Sequence, residues 1–146
     1  MIRAIYLNGY TNDISACIDV RKAVYDKEYG EDAGRDDRDR DAVHILLFDQ
    51  DDNPIGTARL LFSMDERFEF GYLSVIEEAR NEGNGDFIMH LIFDKAALSG
   101  AKYLVSSETD HRKEYFDRYG FEEIDGKLVL DLKKYYKEHS CHHTEQ

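Results

Sequence analysis

Residues 68 to 98 carry three local signals in succession, and their order limits the folds open to the chain. Phe68 to Val75 is rich in aromatic and β-branched residues, the composition of a strand. Phe87, Ile88, Leu91, Ile92 and Ala96 recur at three- and four-residue steps, the helical period. Between them, Arg80-Asn81-Glu82-Gly83-Asn84-Gly85 holds two glycines one residue apart. A strand that enters a helix this way presents the N–H groups of the first helical turn, which lack intrahelical partners, at the positive end of the helix dipole. Glycine lets a ligand approach the backbone, and a pyrophosphate is the natural guest. The same junction also arises wherever a tight turn needs glycine. It is not one of the usual nucleotide loops. No Gly-Lys-Ser/Thr follows to make a P-loop, and the third glycine of a dinucleotide fingerprint is missing.

The flanking segments extend the pattern. Arg3 to Leu7 reads as a first strand ending at the turn pair Asn8-Gly9. Thr11, Asn12 and Asp13 offer N-caps for a helix that ends near Gly30, with Ile14, Cys17, Ile18, Val24 and Tyr25 on one face. Residues 31–41 hold six acids and three arginines with no large apolar side chain, which predicts a solvated loop or a short polar helix. Val43 to Phe48 and Ile55 to Phe62 form a strand pair around Asp49 to Pro54. Beyond the central helix come a strand at Lys102 to Ser106 and a short helix from about His111 to Tyr119. Phe121 to Ile124 and Leu128 to Leu132 then form a hairpin around Asp125-Gly126. The order β-α-β-β-β-α-β-α-β-β predicts an α/β (α+β) domain over residues 1–135, a mixed, mainly antiparallel sheet flanked by helices. Residues 136–146 are expected to be a flexible tail.

With 146 residues and 42% hydrophobic side chains, one domain can bury its own core without metal or disulfide. Cys17 and Cys141 are far apart in sequence, so a reducing cytoplasm is the simpler setting. No signal peptide is evident, and the apolar runs are too short to span a membrane. The formal net charge of −12 repels nucleic acid and anionic membranes; it would attract a cationic amine, and it equally suits a protein that is acidic for solubility alone. His139, Cys141, His142 and His143 are metal-ligand types, but they lie too close together for a closed structural zinc site, so no metal is expected. His44, His90 and His111 stand alone in sequence, His90 on the central helix.

Two marks carry a family resemblance. Arg80-x-x-Gly83-x-Gly85 resembles the coenzyme A pyrophosphate loop of the GNAT N-acetyltransferases, Arg/Gln-x-x-Gly-x-Gly/Ala. Tyr115-Phe116-Asp117-Arg118-Tyr119-Gly120-Phe121 resembles that family's aromatic-x-x-x-Gly-Phe. The resemblance covers roughly residues 2 to 132. It implies a sheet whose central fourth and fifth strands run parallel and splay apart to admit acyl-coenzyme A. The pantetheine would pair with the backbone of Leu73 and Val75. The phosphates would meet the N–H groups of Arg80, Asn81, Glu82, Gly83, Asn84, Gly85 and Asp86. Glu82 departs from the basic residue common at its position.

The reaction so implied is direct attack of a primary amine on the acetyl-coenzyme A thioester. It needs a base for the ammonium proton and a proton source for the departing thiolate. Glu69 holds the position at which several family members carry a glutamate base; other members use water. The family's thiolate-facing tyrosine falls on Phe116, which leaves Tyr115, Tyr119 or solvent as the acid, with Phe116 lining the donor site and Tyr72 a further candidate. Arg21-x-x-Val24-Tyr25-x-x-Glu28 followed by acidic residues resembles a subgroup of small, mostly uncharacterised GNAT acyltransferases. It is similar, more distantly, to acyl-homoserine lactone and N-acyl amino acid synthases. There this helix borders the acceptor, so Arg21 and Glu28 are acceptor contacts in that reading and ordinary helix pairing in the alternative. The acceptor would be a small-molecule or peptide amine, and a homodimer is open. Two other functions are open: a non-catalytic coenzyme A-binding module, and transfer from a longer acyl donor. The chain's acidity disfavours an acidic carrier protein as that donor.

Overall fold

The structure, a computed structural model, describes residues 2–31, 33–106 and 112–144, with side chains described through residue 139. Its strands are β1 (Arg3–Asn8), β2 (Val43–Phe48), β3 (Pro54–Leu61), β4 (Arg67–Val75), β5 (Tyr103–Ser106), β6 (Glu122–Ile124) and β7 (Lys127–Asp131). They form one sheet in the order β1-β2-β3-β4-β5-β7-β6. The β1–β2, β2–β3, β5–β7 and β6–β7 pairs are antiparallel, and β4–β5 is parallel. A parallel pair needs a crossover, and the long helix between β4 and β5 supplies it. The helices are α1 (Ser15–Arg21), α2 (Lys27–Tyr29), α3 (Asn84–Leu98), α4 (Lys113–Asp117) and α5 (Leu132–Thr144). A π-helical stretch, Lys22–Asp26, joins α1 to α2, and Asp37–Asp41 is a 3-10 helix. His111, the expected start of the short helix, lies outside the described residues. The chain packs as two compact units, Met1–Leu61 with Tyr72–Ile92 and Phe62–Gly71 with Phe93–Gln146, so β4 and α3 contribute to both.

In the first unit the core comprises Cys17, Val20, Val24 and Tyr25 of the first helical segment, Ile45 to Leu47 of β2, Ala58 and Leu60 of β3, and Ile88, Met89 and Ile92 of α3. Gly56 lets α3 lie close on β3, because a Cβ there would sit 2.6 Å from Ile88 Cδ1. The sequence period places Phe87 on the buried face of α3, yet Phe87 is exposed and Met89 is fully buried. The face is turned by one position because β3 and the sheet decide which side is covered.

In the second unit aromatic rings build the core. Phe70 of β4 meets Phe116 and Phe121 at 5.3 and 5.5 Å, and Phe93 of α3 meets Tyr119 and Tyr135 at 5.3 and 4.9 Å. Such pairs add about 0.5–1.5 kcal/mol each beyond their buried area. Tyr135 belongs to α5, which starts inside the expected domain at Leu132 and continues to Thr144, within the residues expected as a tail. Leu132 and Tyr135 are buried three residues apart on it, and the Tyr136 hydroxyl donates to Asp94 Oδ1. Asp131 accepts from the Lys134 N–H at 3.0 Å, capping the helix start. That cap and the Leu132–Tyr135 spacing were the available signals. Asp125 (φ 53°) and Gly126 (φ 80°) make the β6–β7 turn with both central residues left-handed, as the Asp-Gly pair predicts.

Candidate active site

β4 carries the strand candidates Glu69, Tyr72, Leu73 and Val75, and it is irregular. Its β5 ladder runs from Arg67↔Tyr103 to Phe70↔Ser106, while the strand itself continues to Val75. Tyr72 sits at φ 55°, a left-handed conformation costly for a bulky side chain. Burial accordingly alternates at Phe68, Glu69 and Phe70 but puts both Phe70 and Gly71 inside, and then both Leu73 and Ser74. The simple alternation that would place Glu69, Gly71 and Leu73 on one face ends at this bulge.

The first unit holds the expected donor loop. After β4, Ala79 N–H donates to Ile76 O and Arg80 N–H to Glu77 O. Asn81 (φ 65°) and Gly83 (φ 83°) then turn the chain into α3. A Cβ at Gly83 would meet nothing within 4 Å, so glycine is required by its backbone angle and the turn opens on free space. The α3 ladder begins with Phe87 N–H to Gly83 O at 3.0 Å, which places the Asn84 and Gly85 N–H groups ahead of it. Asn84 is buried and braces the turn from within, its Nδ2 donating to Ala79 O at 2.8 Å. Asp86 is half-buried, and the His90 ring contacts both its carbonyl and its carboxylate. Arg80 is the loop's one cation. Its Nε donates to Val75 O at 2.9 Å and its Nη2 lies 3.7 Å from Glu28 Oε1. Leu73 is buried and Val75 half-buried, so any ligand contact they make runs through their backbone. Glu82 is exposed, which leaves its carboxylate free to turn to water. An open left-handed glycine, helix N–H groups ahead of the ladder and a neighbouring guanidinium fit the phosphates of coenzyme A.

The first unit also holds a buried charge network that composition concealed. Arg21 is fully buried. Its Nη1 donates to Asp39 Oδ1 and its Nη2 to His44 Nδ1, both at 2.7 Å. His44 Nε2–H donates to Asp39 O at 2.7 Å, which fixes the neutral tautomer. Arg59 Nη1 donates to Asp36 Oδ1 and, at 3.1 Å, to Asp39 Oδ1. The Tyr72 hydroxyl donates to Asp36 Oδ2 at 3.1 Å, and the Arg21 and Arg59 guanidinium carbons lie 4.7 and 4.6 Å from its ring centre. These contacts fix the Tyr72 ring and hydroxyl. Burial lowers the His44 pKa, and the Arg21 charge adds to the effect. Burial and the Asp36 charge push the Tyr72 phenol up to about 12, which makes it a poor acid for a departing thiolate. Burial raises Asp36, but the Arg59 bond and charge, the Arg38 N–H and Tyr72 bring it below its ordinary value. Arg21, expected at the acceptor, is thus an internal strut, while Glu28 is exposed. Of the two readings of residues 31–41, the short polar helix is the one found, as the 3-10 helix Asp37–Asp41, and Asp36 and Asp39 pin it to Arg59 and Arg21.

The second unit holds the acid and base candidates. Glu69 is half-buried on β4 opposite Val105 of β5. The Tyr115 and Tyr119 hydroxyls are 3.1 Å apart, one helical turn from each other, with the Arg118 guanidinium 5.2 and 5.5 Å from their ring centres. Phe116 is fully buried, with its ring packed against Phe70 and Phe121. Among the described residues no His, Cys, Asp and Glu group of three or more could hold a metal, and no helix is long and apolar enough to cross a membrane.

The profile of the Acetyltransferase (GNAT) family matches residues 14–121, and the chain belongs to that family. Escherichia coli ElaA is 24% identical, over 90% of this chain and 100% of its own, with a TM-score of 0.71. An acyl-CoA N-acyltransferase from Pseudomonas aeruginosa is 17% identical over 88% of this chain and 97% of its own, at 0.74. N-acetylglutamate synthase from Neisseria gonorrhoeae, solved with coenzyme A and N-acetyl-glutamate, is 18% identical over 89% of this chain and 35% of its own, at 0.64. These likenesses establish the fold. No curated protein matches the sequence.

Proposed function

We propose that this protein transfers the acetyl group of acetyl-coenzyme A to a primary amine by direct attack on the thioester. The observation that carries this reading is the turn from β4 into α3, where Gly83 opens at φ 83° beside the first N–H groups of a fifteen-residue helix. Membership of the GNAT family makes coenzyme A the expected owner of a pyrophosphate held there. Arg80 supplies positive charge, and the helix N-terminus supplies oriented donors. The backbone of Leu73 and Val75 pairs with the pantetheine, and a β4 N–H receives the developing oxyanion. Glu69, directly or through water, takes the ammonium proton before the nitrogen attacks. Tyr119, its hydroxyl bonded to that of Tyr115, is the candidate to return a proton to the thiolate; solvent is the alternative. A cationic acceptor suits a chain of net charge −12.

Calorimetric titration of acetyl-coenzyme A, desulfo-coenzyme A and adenosine tests the donor assignment. Micromolar binding that needs the pyrophosphate supports it. In Gly83→Glu, a carboxylate enters the cradle from a left-handed position, and binding is expected to vanish while the far-UV circular dichroism is kept. Unchanged affinity in that variant overturns the loop assignment. The burial of Phe116, where the family carries its thiolate-facing tyrosine, favours a second reading: a coenzyme A-binding module without turnover. Tight binding with no product across a broad panel of primary amines decides for it, and turnover with any amine excludes it.

A further inference from the structure

Two ion pairs tie α2 to the segment that leads into the donor loop. Lys27 Nζ lies 3.4 Å from Glu77 Oε2, and Glu28 Oε1 lies 3.7 Å from Arg80 Nη2. The second pair engages the loop's one cation, and both members are about two-fifths exposed, so either can exchange its partner. Arg80 keeps its Nε on Val75 O, which fixes the stem of the guanidinium, and its side chain is 40% exposed. α2 ends at Gly30, whose φ of 110° and open surroundings let the chain bend there. Immediately beyond lies the strap that carries Asp36 and Asp39.

We propose that Glu28 is a latch on the donor site: its carboxylate holds the Arg80 guanidinium until a pyrophosphate displaces it, and that displacement frees the end of α2. This rests on the reading of the Arg80–Asp86 turn as a coenzyme A phosphate site. The exchange is driven by charge. A planar guanidinium binds phosphate oxygens in a bidentate fork, whereas Glu28 offers a single charge at the outer limit of an ion pair. Donor binding and release of α2 are therefore linked, and by reciprocity an intact latch weakens donor binding. An exposed pair of this kind contributes about 0.2–1 kcal/mol, which corresponds to at most about a fivefold change in affinity.

The test is calorimetric titration of coenzyme A into the full chain and two charge-matched variants, Glu28→Gln and Glu77→Gln. Each removes one negative charge near the loop, but only the first releases Arg80. Glu28→Gln is expected to tighten coenzyme A about two- to fivefold, with Glu77→Gln little changed. Amide exchange at residues 27–30 of the wild-type chain is expected to accelerate on saturation with coenzyme A. Unaltered affinity in Glu28→Gln, or equal tightening in both variants, overturns the latch and leaves the donor site standing. Slower exchange at residues 27–30 in the complex does the same. If the wild-type chain binds no coenzyme A, the latch and the donor-site reading fall together.

Discussion

Asp39 is the residue on which the buried network turns, and replacing it with asparagine gives a sharp test. Its Oδ1 accepts from Arg21 and Arg59 at 2.7 and 3.1 Å, and its Oδ2 accepts from the Asp36 N–H at 3.2 Å. Arg21 is 0% and Arg59 4% exposed, so neither guanidinium can recover its hydration by turning outward. Asp39→Asn keeps the side-chain shape and removes the charge, leaving Arg59 with Asp36 and the buried Arg21 with the neutral His44 ring. Breaking a buried pair by removing one partner costs about 3–5 kcal/mol, against a total stability of about 5–15 kcal/mol for a domain. At roughly 2–4 °C per kcal/mol for a chain of this size, the melting temperature falls by about 6–20 °C. The chain has no tryptophan, so urea unfolding is followed by far-UV circular dichroism. The m-value is expected to hold while the midpoint drops. Lys27→Met is the control, because Lys27 and Glu77 are about three-quarters exposed and such pairs contribute little. If Asp39→Asn is no more destabilising than Lys27→Met, the network is not a structural strut and the reasoning fails.

Three further outcomes follow from the geometry. His44 is held neutral, with a pKa lowered chiefly by burial, so the unfolded chain binds its proton more readily than the folded one. Its contribution is complete above the ordinary histidine value of about 6.5 and is lost as pH falls below it. Wild-type stability should therefore drop between about pH 6.5 and 5 more steeply than that of His44→Gln, and parallel pH profiles would refute the assignment. Glu69→Gln should lower turnover most on the acidic side of the pH optimum, whereas an unaltered pH–rate profile would point to water as the base. Tyr119→Phe should lower kcat more than Tyr115→Phe while both leave coenzyme A affinity unchanged. Equal kcat in all three proteins would assign the thiolate proton to solvent.

Much of the architecture could be read because it is written in local rules. The strand compositions, the glycine turn before α3 and the Asp125-Gly126 hairpin each act within a few residues, and local sterics decide them whatever lies elsewhere. The turn itself is legible for the same reason, since it is a backbone feature of one continuous segment. α5 is harder to read although its Asp131 cap and Leu132–Tyr135 spacing are local, because Tyr135 is buried against Phe93, a residue far away in sequence.

Side-chain partners across sequence distance were decided by the tertiary structure. Arg21, Asp36, Asp39, His44, Arg59 and Tyr72 come from five separate segments, and in sequence most of them look like the charged surface of an acidic protein. A charge becomes an internal strut only where the sheet and α1 bury it beside an opposite charge, and no pattern along the chain states that coincidence. The bulge at Tyr72 is the same kind of fact. A tyrosine in a strand composition predicts regular alternation, and it takes Asp36 and two guanidiniums from elsewhere to fix its ring and hydroxyl. The sequence by itself determined the strands, the central helix and the glycine turn between β4 and α3. Tertiary packing determined which charges are buried and which aromatic rings belong to the core, because burial depends on what the rest of the chain places alongside.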